Sequence, residues 1–469
     1  MKKTKKGFEA IKTLLIALLF LIIILMACLH FEALRSRNEN ASGTEETDFT
    51  LKSTFSSSFE SLTDAALLPC EIAYKDNKLN TYAITAGRDY MQEIYSLLDM
   101  NIAFMLGNGC KAEEETAEAF DNAVDSENFI YIRYHSSIPA VLAYIHSFES
   151  NKIPQTLPIG EKTPSLSLSE LIIFPENTEK GSVFALARSS FGDVTKFISQ
   201  NEPETKIVGV GDLEIYREAG AMVSAKFYNG REDSGIMGAT LILDDLPFRA
   251  KIGFYMGIEG LSENSELQAE FANILDINPN KTGSYFDSEI GGTVYMATHG
   301  TLTVTDGNIV YSTENYSGGI PLSFFSGKDA ESHHSIYECL AAAQALASTF
   351  AEMENIDIGD AEMLITDLYR NDDILTVEFG YFYDNIPIAD SETALKIMLS
   401  SDKLTGLEFY PANVTADMTE QLKSIPASWV IDIAESNISD NSDYTVIYKY
   451  IKNKNGKYTA EWIPVKINN

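Results

Sequence analysis

Leu14 to Leu29 reads LLIALLFLIIILMACL, sixteen residues without a charge. At about 1.5 Å per residue, and with Ala10 and Ile11 added, this run is just long enough to cross a hydrocarbon core of roughly 30 Å. Lys2, Lys3, Lys5, Lys6 and Lys12 precede it, and no Lys or Arg follows until Arg35. That asymmetry predicts a cytoplasmic basic tail over 1–12, a transmembrane helix over 13–29 and an extracellular remainder. A cleaved signal peptide shares the charged start, but no A-x-A site follows the apolar run. Leu25-Met26-Ala27-Cys28 is an imperfect lipoprotein box with Met26 out of pattern, so Cys28 is the candidate lipid attachment point. At roughly 100° per residue, Thr13, Ala17, Ala27 and Cys28 share an arc of about 100° opposite Leu15, Leu18, Leu19, Ile22 and Leu25. Small residues on one stripe let a second helix approach closely, which marks these four as a helix-packing face.

The outer part is strongly acidic. The whole chain carries −33, and residues before Phe31 contribute five Lys and one Glu, or +4, which leaves −37 beyond the membrane. Nucleic acid and anionic lipid surfaces repel such a protein, so neither is an expected partner. Hydrophobic residues at 45% are enough for real cores. Outside the apolar run stand Cys70, Cys110 and Cys339, an odd and widely spaced set that gives no disulfide framework. The combination fits a surface protein of a Gram-positive bacterium.

Along the chain, 30–59 is polar and Ser/Thr/Glu-rich and reads as a flexible stalk. Three α+β modules with antiparallel sheets are expected beyond it, over 60–203, 204–330 and 331–469. The first holds a helix from Asp89 to Leu106, strands at Phe129–Tyr134, Leu171–Phe174 and Val183–Ala187, and a short helix from Ala140 behind Pro139. The second holds a helix over Ser262–Leu275 and a meander of Thr293–Ala297, Thr301–Thr305 and Ile309–Ser312, turned at Asp306-Gly307. The third opens with a helix over Ile336–Met353. Strands follow at Met363–Tyr369, Ile374–Phe382, Ala394–Leu399 and Thr405–Tyr410, and a last hairpin turns about Asn455-Gly456. Its expected form is a helix packed on an antiparallel sheet.

The chemistry-bearing motifs do not assemble into a site. Ser400-x-x-Lys403, Ser439-Asp440-Asn441 and Lys281-Thr282-Gly283 are the tripeptides of penicillin-binding proteins. Here they stand in the wrong chain order, and Ser400 falls in a strand-turn-strand reading where the nucleophile should open a helix. Asp276-x-Asn278-x-Asn280 with Ser284 and Asp287 imitates a calcium loop, but Lys281 replaces the turn Gly and Asp287 the bidentate Glu. His333-His334 with Glu338 and Cys339 has metal-like spacing and no second ligand pair nearby. Gly209-Val-Gly211 lacks the third Gly of a dinucleotide loop and a strong helix behind it. No catalytic residue, metal site or cofactor is expected.

Three stretches carry a family resemblance. Phe129 to Pro139 (FIYIRYHSSIP) with a short helix behind it resembles the first-domain strand and turn of the YycH family, with Tyr134-His135 in place of its Phe-Pro. Gly292 to Tyr311 resembles that family's second-domain meander. Val377–Pro387, Ser424–Trp429 and the final hairpin resemble its third domain, shared with the sister YycI proteins and PepSY-like in flavour. The resemblance implies a non-catalytic bitopic accessory protein that modulates WalK, a cell-wall-sensing histidine kinase, alongside a YycI-type regulator. Two other readings stay open: a surface binding module or lipoprotein for a wall or peptide ligand, and a PepSY-like protease inhibitor.

Overall fold

The computed structural model describes residues 69–85, 90–107, 110–140, 143–144, 166–175, 182–189, 192–200, 207–228, 240–243, 248–313, 318–322, 336–353, 356, 358–359, 361–371, 373–389, 393–400, 403–423, 428–429, 431 and 444–466. The expected membrane helix 13–29 and stalk 30–59 lie outside them, as do Thr13, Ala17, Ala27 and Cys28.

The first nine strands are β1 (Glu71–Lys75), β2 (Thr81–Thr85), β3 (Lys111–Glu115), β4 (Phe129–Pro139), β5 (Ser167–Phe174), β6 (Ser182–Arg188), β7 (Val194–Gln200), β8 (Val223–Tyr228) and β9 (Thr240–Leu243). They form one antiparallel sheet in the order β3-β7-β6-β5-β4-β1-β2-β8-β9. Its central strands are apolar on both sides because both faces are covered. Ile72, Tyr74, Ile130, Ile132 and Ile173 face a core that includes Ile94, Tyr95, Ile102 and Leu213, from α1 (Met91–Leu97), α2 (Asp99–Leu106) and α4 (Val210–Glu218). Ala73, Phe129, Tyr131, Ile172 and Leu186 face the opposite way, toward Phe120 and Val124 of α3 (Ala117–Val124).

The chain continues through β10 (Phe248–Met256), α5 (Ser265–Ile274), β11 (Gly283–Asp287), β12 (Gly292–Ala297), β13 (Gly300–Thr305), β14 (Ile309–Ser312), β15 (Ile320–Pro321) and α6 (Ile336–Ala351). Then come β16 (Ala361–Asn371), β17 (Ile374–Tyr383), β18 (Ile386–Pro387), β19 (Leu395–Ser400), β20 (Lys403–Phe409), β21 (Ala412–Lys423), β22 (Tyr444–Lys452) and β23 (Tyr458–Lys466). One sheet runs β11-β12-β13-β14-β20-β19-β17-β16, with β15 on β20 and β18 on β17; another runs β21-β10-β23-β22. Both share a core with α5 and α6, in which Phe271, Phe350 and Phe409 meet.

Antiparallel sheets and the last helix packed on its sheet are as read from the sequence, and the described residues are mostly β with some helices. The sheets nevertheless cut across the expected module boundaries. β8 pairs with β2, so residues past 203 complete the first sheet, and β14 pairs with β20, which joins the meander to the strands beyond 331. The helix expected over Asp89–Leu106 is two helices bent at Leu98, which sits at φ −82°, ψ −3°. Just past the bend the buried Asn101 amide donates to the Val208 carbonyl and accepts from its N–H, both at 2.9 Å. Contrary to expectation, a helix does follow Gly209. Its first turn is closed by Asp212, whose carboxylate accepts from the Gly209 N–H at 2.9 Å.

Candidate functional site

The motif fragments are not brought together. Ser400 and Lys403 face each other across the β19–β20 hairpin, so Lys403 does not stand one helical turn behind the hydroxyl. Gly283, Ser284 and Asp287 lie on β11, and Asn278 closes its own turn by accepting from the Asn280 N–H, so no calcium loop forms. His333, His334, Ser439, Asp440 and Asn441 fall outside the described residues. Among those described, no three His, Cys, Asp or Glu side chains converge as a metal set. Cys70, Cys110 and Cys339 are free thiols. Burial pushes Cys110 and Cys339 up to about 11, which keeps them protonated and unreactive.

The polar feature that does assemble is a ladder across four strands of the first sheet. Glu71 on β1 opposes Arg133 on β4, Arg133 opposes Glu170 on β5, and Glu170 opposes Arg188 on β6. Residues directly opposed in an antiparallel pair share a face, so the four charges alternate in sign along one line. They are 1, 7, 5 and 3% exposed. Buried charges are tolerated when closely paired, and the two halves of the ladder differ in how near the opposite charges stand.

The outer half is tight. Arg188 Nε lies 3.1 Å from Glu170 Oε2, and Nη2 lies 3.0 Å from Asp121 Oδ1 on α3. The guanidinium sits 3.9 Å from the Phe120 ring centroid. Tyr131 donates its hydroxyl to Glu170 Oε1 at 2.6 Å.

The inner half is loose. Arg133 Nη1 stands 3.7 Å from Glu71 Oε2, too far for a hydrogen bond. Its Nη2 donates instead to the Val446 carbonyl of β22, and its guanidinium lies 6.0 Å from the Trp462 ring centroid on β23. Among the described residues, neither carboxylate oxygen of Glu71 has a hydrogen-bond partner, nor has the hydroxyl of Thr85, its neighbour on β2. Burial raises Glu71 from 4.5 to about 7, with Arg133 opposing and Glu170 reinforcing the shift. A carboxyl whose pKa is raised by folding contributes its full stability below about 4.5 and loses it as the pH climbs through about 7. Glu71→Gln is therefore expected to match the parent chain near pH 4 and to exceed its unfolding free energy by roughly 3 kcal/mol near pH 8. Parallel denaturant titrations at the two pH values check this; an equal difference at both would refute it.

Beside α3 a cleft of about 620 Å³ opens over the sheet, lined by Phe174, Phe184 and Leu186 with Glu115, Glu127 and Lys196 at its edge. The Lys196 ammonium lies 5.0 Å from the Phe184 ring centroid.

Motif reading missed the ladder, though a signal was present. Glu71, Arg133, Glu170 and Arg188 each interrupt an apolar strand: CEIAY, FIYIRY, SELIIF and VFALAR. Only the pairing of the strands shows that the four interruptions coincide.

The fold and site together define an α+β chain built on three antiparallel sheets, with a buried ionic ladder where the first sheet meets the C-terminal hairpin. No protein-family model matches the sequence, and no curated protein matches it. Among solved structures the chain is similar to the crystal structure of YycH from Bacillus subtilis, with 13% identical residues and a TM-score of 0.49 over 85% of this chain and 96% of that one.

Proposed function

We propose that the chain is a non-catalytic accessory protein, anchored in the membrane by residues 13–29, that modulates a cell-wall-sensing histidine kinase through its membrane helix and extracellular part, beside a sister YycI-type regulator. The observation that supports it most is where the resembling segments fall. Phe129–Pro139 is a central strand of the first sheet, Gly292–Tyr311 spans the meander, Val377–Pro387 covers most of β17 and all of β18, and the last hairpin belongs to the four-stranded sheet. All three sheets thus carry family-like sequence at their centre or rim, in chain order.

The small-residue stripe is the proposed contact with the partner helix. Helix association in lipid depends on close packing, so bulk on that stripe separates anchoring from regulation. Ala17→Leu with Ala27→Leu is expected to abolish control of kinase output while leaving membrane insertion intact. Leu18→Ala with Leu25→Ala, on the far side, serves as the control. A kinase-dependent transcriptional reporter reads the result, and regulation by an all-Leu helix would show the segment to be a passive anchor.

The cleft beside α3 favours a second reading, a binding module for a wall or peptide ligand. A module of that kind loses its ligand on Phe184→Ala, whereas the accessory reading expects that substitution to leave kinase output unchanged.

A further inference from the structure

The loose half of the ladder lies where two sheets meet. Arg133 belongs to the centre of the first sheet, yet its hydrogen bond goes to Val446 on β22 and its guanidinium lies beside Trp462 on β23. Glu71, the residue opposite it, is fully enclosed, and among the described residues its carboxyl has no hydrogen-bond partner. One guanidinium therefore stands between two acceptors, and holds only one of them.

We infer that this contact is a proton-operated latch, in which Arg133 grips the C-terminal hairpin while Glu71 is neutral and turns toward Glu71 when that carboxyl ionises. With Glu71 protonated, the guanidinium has no competing anion beside it and stays on the Val446 carbonyl. Once Glu71 loses its proton, a charge-assisted bond becomes available 3.7 Å away, stronger than one to a neutral carbonyl. Closing that gap draws the guanidinium back toward β1 and off β22. Only a proton moves, from the Glu71 carboxyl to solvent and back.

The surroundings isolate this response. Glu170 also opposes Arg133, but Tyr131 donates to one of its oxygens, the Arg188 guanidinium lies 3.1 Å from the other, and Asp121 lies 3.0 Å from Arg188 in turn. The Cys70 thiol donates to the Arg133 carbonyl at 3.3 Å and stays protonated because burial raises it far above its ordinary range. Thr85 stands beside Glu71 from β2, while Glu214 and Arg217 of α4 act on Tyr74, on the other face of β1. β22 and β23 present Arg133 with a carbonyl and an indole ring. Burial raises Glu71 to about 7, which puts the change within reach of ordinary extracellular pH.

Trp462 reports on the latch directly. The chain has two tryptophans, of which Trp429 is 63% exposed and Trp462 5%. In the full-length chain carrying Trp429→Phe, acrylamide quenching of Trp462 is expected to rise about threefold between about pH 6 and pH 8, with a midpoint near 7. Adding Glu71→Gln should hold quenching at its low-pH value throughout. A flat profile without Glu71→Gln, or an unchanged titration with it, overturns the latch. Hydrogen exchange in the unsubstituted chain, corrected for intrinsic rates, gives a second reading that needs no variant. Amides of 444–466 should exchange roughly tenfold more slowly at about pH 6 than at pH 8 relative to those of β5 and β6. Equal protection at both pH values overturns it as well.

Discussion

Arg188→Ala is expected to lower the unfolding free energy by about 3–5 kcal/mol, the scale for breaking a buried ion pair from one side. The guanidinium faces Glu170 at 3.1 Å and Asp121 at 3.0 Å, and it covers the Phe120 ring at 3.9 Å. Its removal takes the nearest positive charge from the enclosed Glu170 carboxylate, which keeps the Tyr131 hydroxyl, and it opens a void under α3. The two acids should not matter equally. Asp121 is about half exposed, so Asp121→Asn removes a screened pair and should cost under about 1 kcal/mol. Glu170→Gln in the Arg188→Ala background should recover part of the loss, because the stranded charge goes with it. Urea midpoints of the full-length chain, followed by far-ultraviolet circular dichroism, measure all three. An Arg188→Ala midpoint indistinguishable from that of Asp121→Asn would mean that the ladder holds nothing together.

Legibility of the fold follows how local its signals are. The meander and the last hairpin were readable because Asp306-Gly307 and Asn455-Gly456 mark turns between β-rich runs, and Gly456 does take φ 80°. The strands from 361 to 409 were readable for the same reason, apolar alternation broken by polar turns. Elements defined by partners rather than by themselves were not. β3 reads KAEEE, a poor strand by composition, and exists because β7 pairs with it residue for residue. β21 is long, but its second half is exposed and polar, so no periodicity announces it. α4 buries Val210, Leu213 and Tyr216, while Ile215 is 61% exposed, which blurs its amphipathic face.

The ladder failed to show for a related reason. A charge inside an apolar strand is visible in sequence, but its compensation depends on register, and one residue of slip would send the side chain to the opposite face. The bulge between Arg133 and Ile138 on β4 illustrates the difficulty, since it shifts the pairing with β5 midway along the strand. Hairpin signals tell where strands turn and not which sheet they join, so the pairing of β8 with β2 and of β14 with β20 could not be read from them.

Phe350→Ala is expected to cost about 3–5 kcal/mol and to loosen two sheets at once. The residue lies on α6 with no exposed surface, its ring centroid 4.8 Å from that of Phe409 on β20 and 6.1 Å from that of Phe271 on α5. β20 joins the meander to the later strands, and α5 belongs to the same core, so one ring touches elements from either side of residue 330. Truncation leaves a cavity bounded by two other rings, which cannot collapse into it without leaving their own contacts. Phe350→Leu preserves most of the volume and should cost under about 1.5 kcal/mol. Phe286→Ala on β11, 59% exposed, should stay within about 0.5 kcal/mol and controls for loss of an aromatic residue as such. The decisive measurement is hydrogen exchange across 292–312 and 395–409 in Phe350→Ala. If the chain folded as separate modules divided at 330, deprotection would stop at that boundary. A continuous sheet on one core predicts that amides on both sides lose protection together.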